Sequence, residues 1–330
     1  MDGPALSVCI CTHDRPQAVA QCLAALRPQA ASLELLVVDS ASSRSARRAL
    51  RHVVGQCRGA RLVRLEHTGL SRARNAGAAA SSAPWIAYLD DDATPAPDWA
   101  AQALTAIAAA PDAGMIGGRV LPAWETALPH WWPASLRGVL SIVEAEGRGP
   151  YGSPDLPPGL GPCGANLLVR AGPLRACGGF AEALGRDGAA LLSDEETELA
   201  TRLRAAGLAV RYDSRPTVHH AIAAGRLTPG WLLRRMHWQG VSAARSRRLG
   251  GQRAALWREA ARRAAVAALF ALPGLVSERS PMLIGARWRL AYATGFLRGA
   301  LGRLPTAGAA TPGPDGVAGV PRALPRPAAG

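Results

Sequence analysis

Lysine is missing altogether: of 38 Lys and Arg positions, every one is arginine. Positive charge therefore rests on planar guanidinium forks, which suit phosphate and carboxylate. The six cysteines, at positions 9, 11, 22, 57, 163 and 177, include no Cys-x-x-Cys pair. That argues against a zinc site and leaves a reducing cytoplasm as the simpler setting. No basic stretch followed by a long apolar run opens the chain, so no signal peptide is expected. No uninterrupted apolar run reaches the ~20 residues that cross a bilayer. No Gly-x-Gly-x-x-Gly follows the first expected strand, which disfavours a dinucleotide-dependent oxidoreductase. No recognised RNA or DNA motif is present either, so nucleic acid is not expected as a partner.

What is there is enough for a real core: 330 residues, 48% of them hydrophobic. This length suits one large domain, or one domain with an extension. The formal net charge of +14 is unevenly spread. Residues 1–225 hold 21 arginines and 21 acids, whereas from Arg226 to Arg303 fifteen arginines face only Glu259 and Glu278. A concentrated basic region implies an anionic partner surface. Trp231, Trp238, Trp257, Phe270, Trp288 and Phe296 interleave with these arginines, a mixture suited to a membrane interface. Residues 226–304 are thus expected to form a basic helical extension lying on the cytoplasmic face of a membrane without crossing it. A plain solvated helical face is the alternative. Residues 305–330, rich in Pro, Gly and Ala, are expected to be disordered.

Before residue 226, short apolar runs alternate with helical stretches. Strands are expected at 5–12, 33–38, 61–65, 85–90, 115–121, 164–170, 208–212 and 217–220. This alternation predicts an α/β fold, a doubly wound and mostly parallel sheet covered on both faces, followed by the C-terminal helical extension. Residues 122–162 hold Trp124, Trp131 and Trp132 among many Pro and Gly, and predict a long irregular excursion over the active-site side.

The chemistry concentrates where strands end. The apolar run from Trp85 to Leu89 stops at Asp90-Asp91-Asp92, and Pro95 and Pro97 follow. Ligands in open α/β sheets bind at the carboxyl ends of strands. Three adjacent acids call for a compensating cation, and hard oxygen ligands suit Mg²⁺ or Mn²⁺ sharing its shell with a substrate phosphate. A solvated Asp-rich turn is the plainer reading. Asp39 ends another strand, where it can accept a hydrogen bond from the imide N–H of a uracil ring or cap a helix. Arg72, Arg74 and Asn75 open a helix, either at a phosphate or as a solvated first turn. Ser193-x-x-Glu196 has the form of a capping box.

Taken in series, Thr12-His13-Asp14-Arg15-Pro16, Val38-Asp39-Ser40, Ser71 to Gly77 and Leu89 to Pro95 resemble the family 2 glycosyltransferases. Gly164-Ala165-Asn166, Gly178-Gly179-Phe180 and Glu195 to Leu199 extend the likeness, which covers roughly residues 5–240. The resemblance implies the A-type glycosyltransferase fold, a nucleotide-sugar donor (a UDP-sugar by preference), a divalent metal and inversion at the anomeric carbon. It places Thr12, Arg15, Asp39 and Arg74 in the nucleotide pocket, with Asp90 and Asp91 also among the donor contacts. Asp90 and Asp92 would form the Asp-x-Asp signature, and Asp92 would touch the metal. His220 would be a further metal ligand, with His219 as its immediate competitor. The general base would be Glu196, which stands where the family commonly has Asp, with Glu195 as its rival. The acceptor would be a glycan or a lipid-linked sugar. A catalytically silent scaffold of the same fold is the alternative that the Glu-Glu departure leaves open. A sugar nucleotidyltransferase is disfavoured because Thr12 to Pro16 does not form a glycine-rich phosphate loop.

Overall fold

A computed structural model describes residues 3–271 and 281–302. The elements run β1 (Leu6–Thr12), α1 (Pro16–Leu26), β2 (Leu33–Ser40), α2 (Arg44–Gly55), β3 (Ala60–Leu65), α3 (Leu70–Ala80), β4 (Trp85–Asp90), β5 (Ala93–Pro95) and α4 (Trp99–Ala108). After them come β6 (Ala113–Trp124), β7 (Arg148–Pro150), β8 (Asn166–Arg170), α5 (Ala171–Ala176), α6 (Glu195–Ala205) and β9 (Ala209–Ile222). The chain ends in α7 (Pro229–Leu249), α8 (Arg253–Ala271) and α9 (Pro281–Leu301).

One sheet carries the strands in the order β3-β2-β1-β4-β8-β6-β9-β5, with β7 beside β9. β3, β2, β1 and β4 are mutually parallel, as are β6 and β9; β8 lies antiparallel between β4 and β6. β1 is buried at every position, as expected of a central strand covered on both faces. Its alternate residues feed two cores. Leu6, Val8 and Ile10 pack with Val19, Leu50 and Trp99 on one face, while Cys9 and Cys11 pack with Val38, Tyr88 and Phe180 on the other. The expected α/β class, a doubly wound sheet followed by C-terminal helices, is what the chain adopts.

Several boundaries differ from expectation. The two short strands expected at 208–212 and 217–220 are one strand, β9, whose pairing with β6 shifts register between Gly117 and Arg119. An irregularity of this kind bends a strand without ending it, and a reading by runs and breaks splits it. The capping box expected at Ser193 does not form. Asp194, in the left-handed region at φ 72°, takes the N-cap position of α6 without a capping side-chain bond, and the Ser193 hydroxyl turns to Gln239. Asp39 caps no helix; Ser43 caps α2, its Oγ accepting from the amide of Ala46. Residues 303–330, and with them the tail expected at 305–330, lie outside the described residues.

The first helix of the C-terminal part behaves as the sequence dictates: Thr228 caps α7 through the amide of Trp231, and Pro229 fills its first turn. α7 packs closely along α9. Gly240 faces the backbone at Tyr292 and Phe296, Gly295 faces that of His237, and Gly299 that of Val241, with no room for a Cβ at any of the three. Among the described residues no helix is long and apolar enough to cross a membrane.

Candidate active site

β4 delivers Asp90 at its end, and a two-residue turn sends the chain into β5, which pairs antiparallel with β9 so that Ala93 faces His220. Strand alternation buries His220 and exposes His219, so His220 is the one of the two that turns toward the acids. Asp90, Asp92 and His220 each offer a ligand atom, all within 4.8 Å of one another. Two carboxylates and an imidazole suit Mg²⁺ or Mn²⁺, and the buried His220 Nδ1 has no hydrogen-bond partner. The residues present fit the ion.

Asp92 is already ringed by nitrogen donors. His220 Nε2 stands 3.1 Å from its Oδ1, while Arg15 Nη1 at 2.7 Å and Arg226 Nη2 at 3.2 Å share its Oδ2. Burial would raise this carboxyl, but the hydrogen bond and charge of His220 and the charges of Arg15 and Arg226 outweigh it and hold the group below the usual carboxylate range. The middle acid is different. Asp91 is only 1% exposed, accepts from Thr12 Oγ1 at 2.6 Å and pairs with Arg15. Burial pushes it up to about 7. It turns inward and locks the end of β1 to the turn after β4.

The second cluster starts α6. Glu195 and Glu196 both reach Arg74 Nη1, at 2.8 and 2.9 Å, and Arg74 Nη2 lies 3.7 Å from Asp90. One guanidinium therefore joins the metal cluster to the acids of α6. Arg74 is buried and stacks over Phe180 at 5.4 Å, and the Phe180 ring meets Tyr88 edge-on at 5.2 Å. Asn75 pins this support by exchanging two hydrogen bonds with the Phe180 backbone. Gly164 is the close-approach point: a Cβ there would overlap both Arg74 and Glu196. Glu195 is buried, its Oε2 without a partner, and burial together with the adjacent Glu196 pushes it up to about 8. The Glu196 side chain is 13% exposed and faces the open side.

One cleft of about 700 Å³ has Thr12, Arg15, Arg74, Asp90, Glu195 and Glu196 on its walls. The irregular stretch 122–162 contributes Ser141 and Leu160 to it, on the expected side. Asp39 is fully buried at the end of β2. Its Oδ1 accepts from the amide of Ser42 at 2.9 Å and its Oδ2 has no partner. Arg72, by contrast, is engaged with Glu182 and the carbonyl of Thr68.

Three residues were not singled out from the sequence: Arg226 on Asp92, and Arg186 and Arg235 in the cleft wall. Arg226 and Arg235 sit inside the basic block, where neighbouring arginines hide them. Their inward direction comes from the turn between β9 and α7.

The family model for glycosyl transferase family 2 matches residues 7–158. A glucosyl-dolichyl phosphate glucuronosyltransferase of Haloferax volcanii is 28% identical over 185 residues, 54% of this chain and 55% of that protein, so the chain spans little more than half of that relative. The succinoglycan biosynthesis protein ExoM of Rhizobium meliloti is 26% identical over 256 residues, 73% of this chain and 74% of that one. A solved structure, the mannosyltransferase PcManGT from Pyrobaculum calidifontis in complex with GDP-Man and Mn²⁺, shares the fold with a TM-score of 0.53 at 19% identity, covering 93% of this chain and 78% of that one.

Proposed function

We propose that this chain, whose residues 7–158 match the family model for glycosyl transferase family 2, moves a sugar from a nucleoside-diphosphate sugar to a hydroxyl of a glycan or lipid-linked sugar, with inversion at the anomeric carbon. The carrying observation is Arg74, which ties Asp90, and through it the cluster with Asp92 and His220, to Glu195 and Glu196. Mg²⁺ or Mn²⁺ held by Asp90, Asp92 and His220 would supply charge neutralisation to the departing diphosphate. The chain's own part is positional. Arg15 sits beside the expected diphosphate position, and the buried Asp39 Oδ2, which has no partner, supports a nucleobase N–H as the group it meets when donor binds. The imide of uracil fits that role, as do the ring N–H groups of guanine.

Glu196 acts as general base and takes the proton of the acceptor hydroxyl as its oxygen attacks carbon. Glu195 is the weaker candidate: pushed up to about 8, it is already protonated near neutral pH and has no capacity to accept. Its role is to hold Arg74 from behind. The two relatives, a glucosyl-dolichyl phosphate glucuronosyltransferase and a succinoglycan biosynthesis protein, support an acceptor in envelope or exopolysaccharide assembly. In this reading residues 1–225 bind donor, and 226–304 rest against the inner face of an anionic membrane. Exposed Trp257, Leu249 and Leu301 among arginines support that contact.

A thermal-shift panel of UDP- and GDP-sugars, each with and without Mn²⁺, tests the proposal. A metal-dependent rise with at least one donor is expected; no shift with any donor would sink it and leave a silent scaffold.

A further inference from the structure

Arg235 is buried in the wall of the cleft and touches no anion directly. It projects from α7, is 9% exposed, lines the same cavity as Glu196, and among the described residues makes no hydrogen bond and no ion pair. Buried polar groups are almost always satisfied, and an uncompensated buried cation is among the costliest exceptions. Its acidic neighbours Asp194, Glu195 and Glu196 attract it through space but none pairs with it: Asp194 Oδ1 accepts from Gln239, and Glu195 and Glu196 pair with Arg74. A second arginine, Arg186, lines the cleft nearby and adds to the positive field, and burial with Arg186 brings Arg235 down to about 10.

The charges around each arginine tell the two ends of the cleft apart. Arg226 feels Asp92, Arg186, Arg15 and Asp90, so it belongs to the metal end. Arg235 feels Arg186, Asp194, Glu195 and Glu196, so it belongs to the end where the general base waits. Whatever approaches Glu196 brings its hydroxyl there, and that molecule is the acceptor.

Resting on the glycosyltransferase reading, we propose that Arg235, with Arg186 beside it, forms an anion subsite for the acceptor, and that the acceptor carries a phosphate or diphosphate close to the hydroxyl it presents to Glu196. Two guanidinium groups match a dianionic phosphate better than a single sugar carboxylate. The subsite selects phosphate-linked acceptors over neutral glycans of the same sugar.

The test uses the full chain with its donor site filled by Mn²⁺ and UDP or GDP, whichever the panel identifies. Farnesyl phosphate, inorganic pyrophosphate and glucuronate are then titrated by calorimetry into wild type, Arg235→Gln and Arg235→Lys. Farnesyl phosphate and pyrophosphate are expected to bind wild type, about 10–100-fold more weakly to Arg235→Gln, and with intermediate affinity to Arg235→Lys. Three results would overturn the proposal: no binding of either phosphate probe to wild type, equal binding to Arg235→Gln, or tighter binding of glucuronate than of both phosphate probes. Thermal melts show whether Arg235→Gln remains folded; if it does not, the Arg186→Gln variant carries the same comparison. Failure of both nucleotides to bind with Mn²⁺ would instead count against the glycosyltransferase reading itself.

Discussion

Two runs of three consecutive acids meet at Arg74 and differ in their compensation, although burial raises Asp91 in the first as it raises Asp194 and Glu195 in the second. Asp90-Asp91-Asp92 meets Arg15, Arg226 and His220, and Asp92 is held firmly ionised. Asp194-Glu195-Glu196 meets Arg74 by direct ion pairs and Arg235 through space, and burial raises both Asp194 and Glu195. Direct contacts keep Asp92 ionised, the form that a divalent ion requires. At Glu195, burial beside Glu196 outweighs Arg74 and stores a proton. The same residue type thus acquires different chemistry from its burial and from the partners that touch it directly.

The contrast breaks most severely at Asp92. Asp92→Ala should abolish Mn²⁺ binding measured by electron paramagnetic resonance and cut transfer by about 10³-fold; retained binding would mean that Asp92 is not a ligand. Next comes the other run. Glu196→Gln should lower kcat by about 10²–10⁴-fold while the donor dissociation constant stays close to wild type, whereas Glu195→Gln should leave most of the rate. A reversed ranking in single-turnover assays would exchange their roles.

Gly164→Ala presses a methyl group between Arg74 and Glu196 and should cost about 1–3 kcal/mol in urea unfolding, with a fall in kcat, because the joint between the two runs must open. The smallest effect is a pH slope. Glu195 ionises near 4.5 unfolded and near 8 folded, so the folded chain holds the extra proton between those values and its stability falls as pH rises through that window. Glu195→Gln removes the slope. It should raise the melting temperature by about 2–4 °C at pH 8.5 and by less at pH 5; an equal effect at both pH values would contradict the buried-proton picture.

Much of this was legible in the chain. The run from Trp85 to Asp92 announces a buried strand ending in acids, because apolar continuity and then charge are local properties. The choice of His220 over His219 also follows once β9 exists, since alternation is a local rule. The bulged pairing of β9 is not local: it depends on Gly117 and Arg119 across the sheet. The capping box failed for a similar reason. Ser193 and Glu196 have the spacing to bind backbone amides, but Gln239 and Arg74, far away in sequence, compete for them and win. Arg235 was invisible because a count of arginines cannot say which one points inward.

The glycine contacts between α7 and α9 have a practical side. α7 also hands Ser242 to the amide of Ser193 and Gln239 to Asp194, so the mouth of the cleft leans on a helix that itself leans on the last helix described. Anyone shortening the chain to obtain a tidier catalytic fragment would be sawing through a buttress: the cut that discards α9 loosens the very residues expected to greet the acceptor.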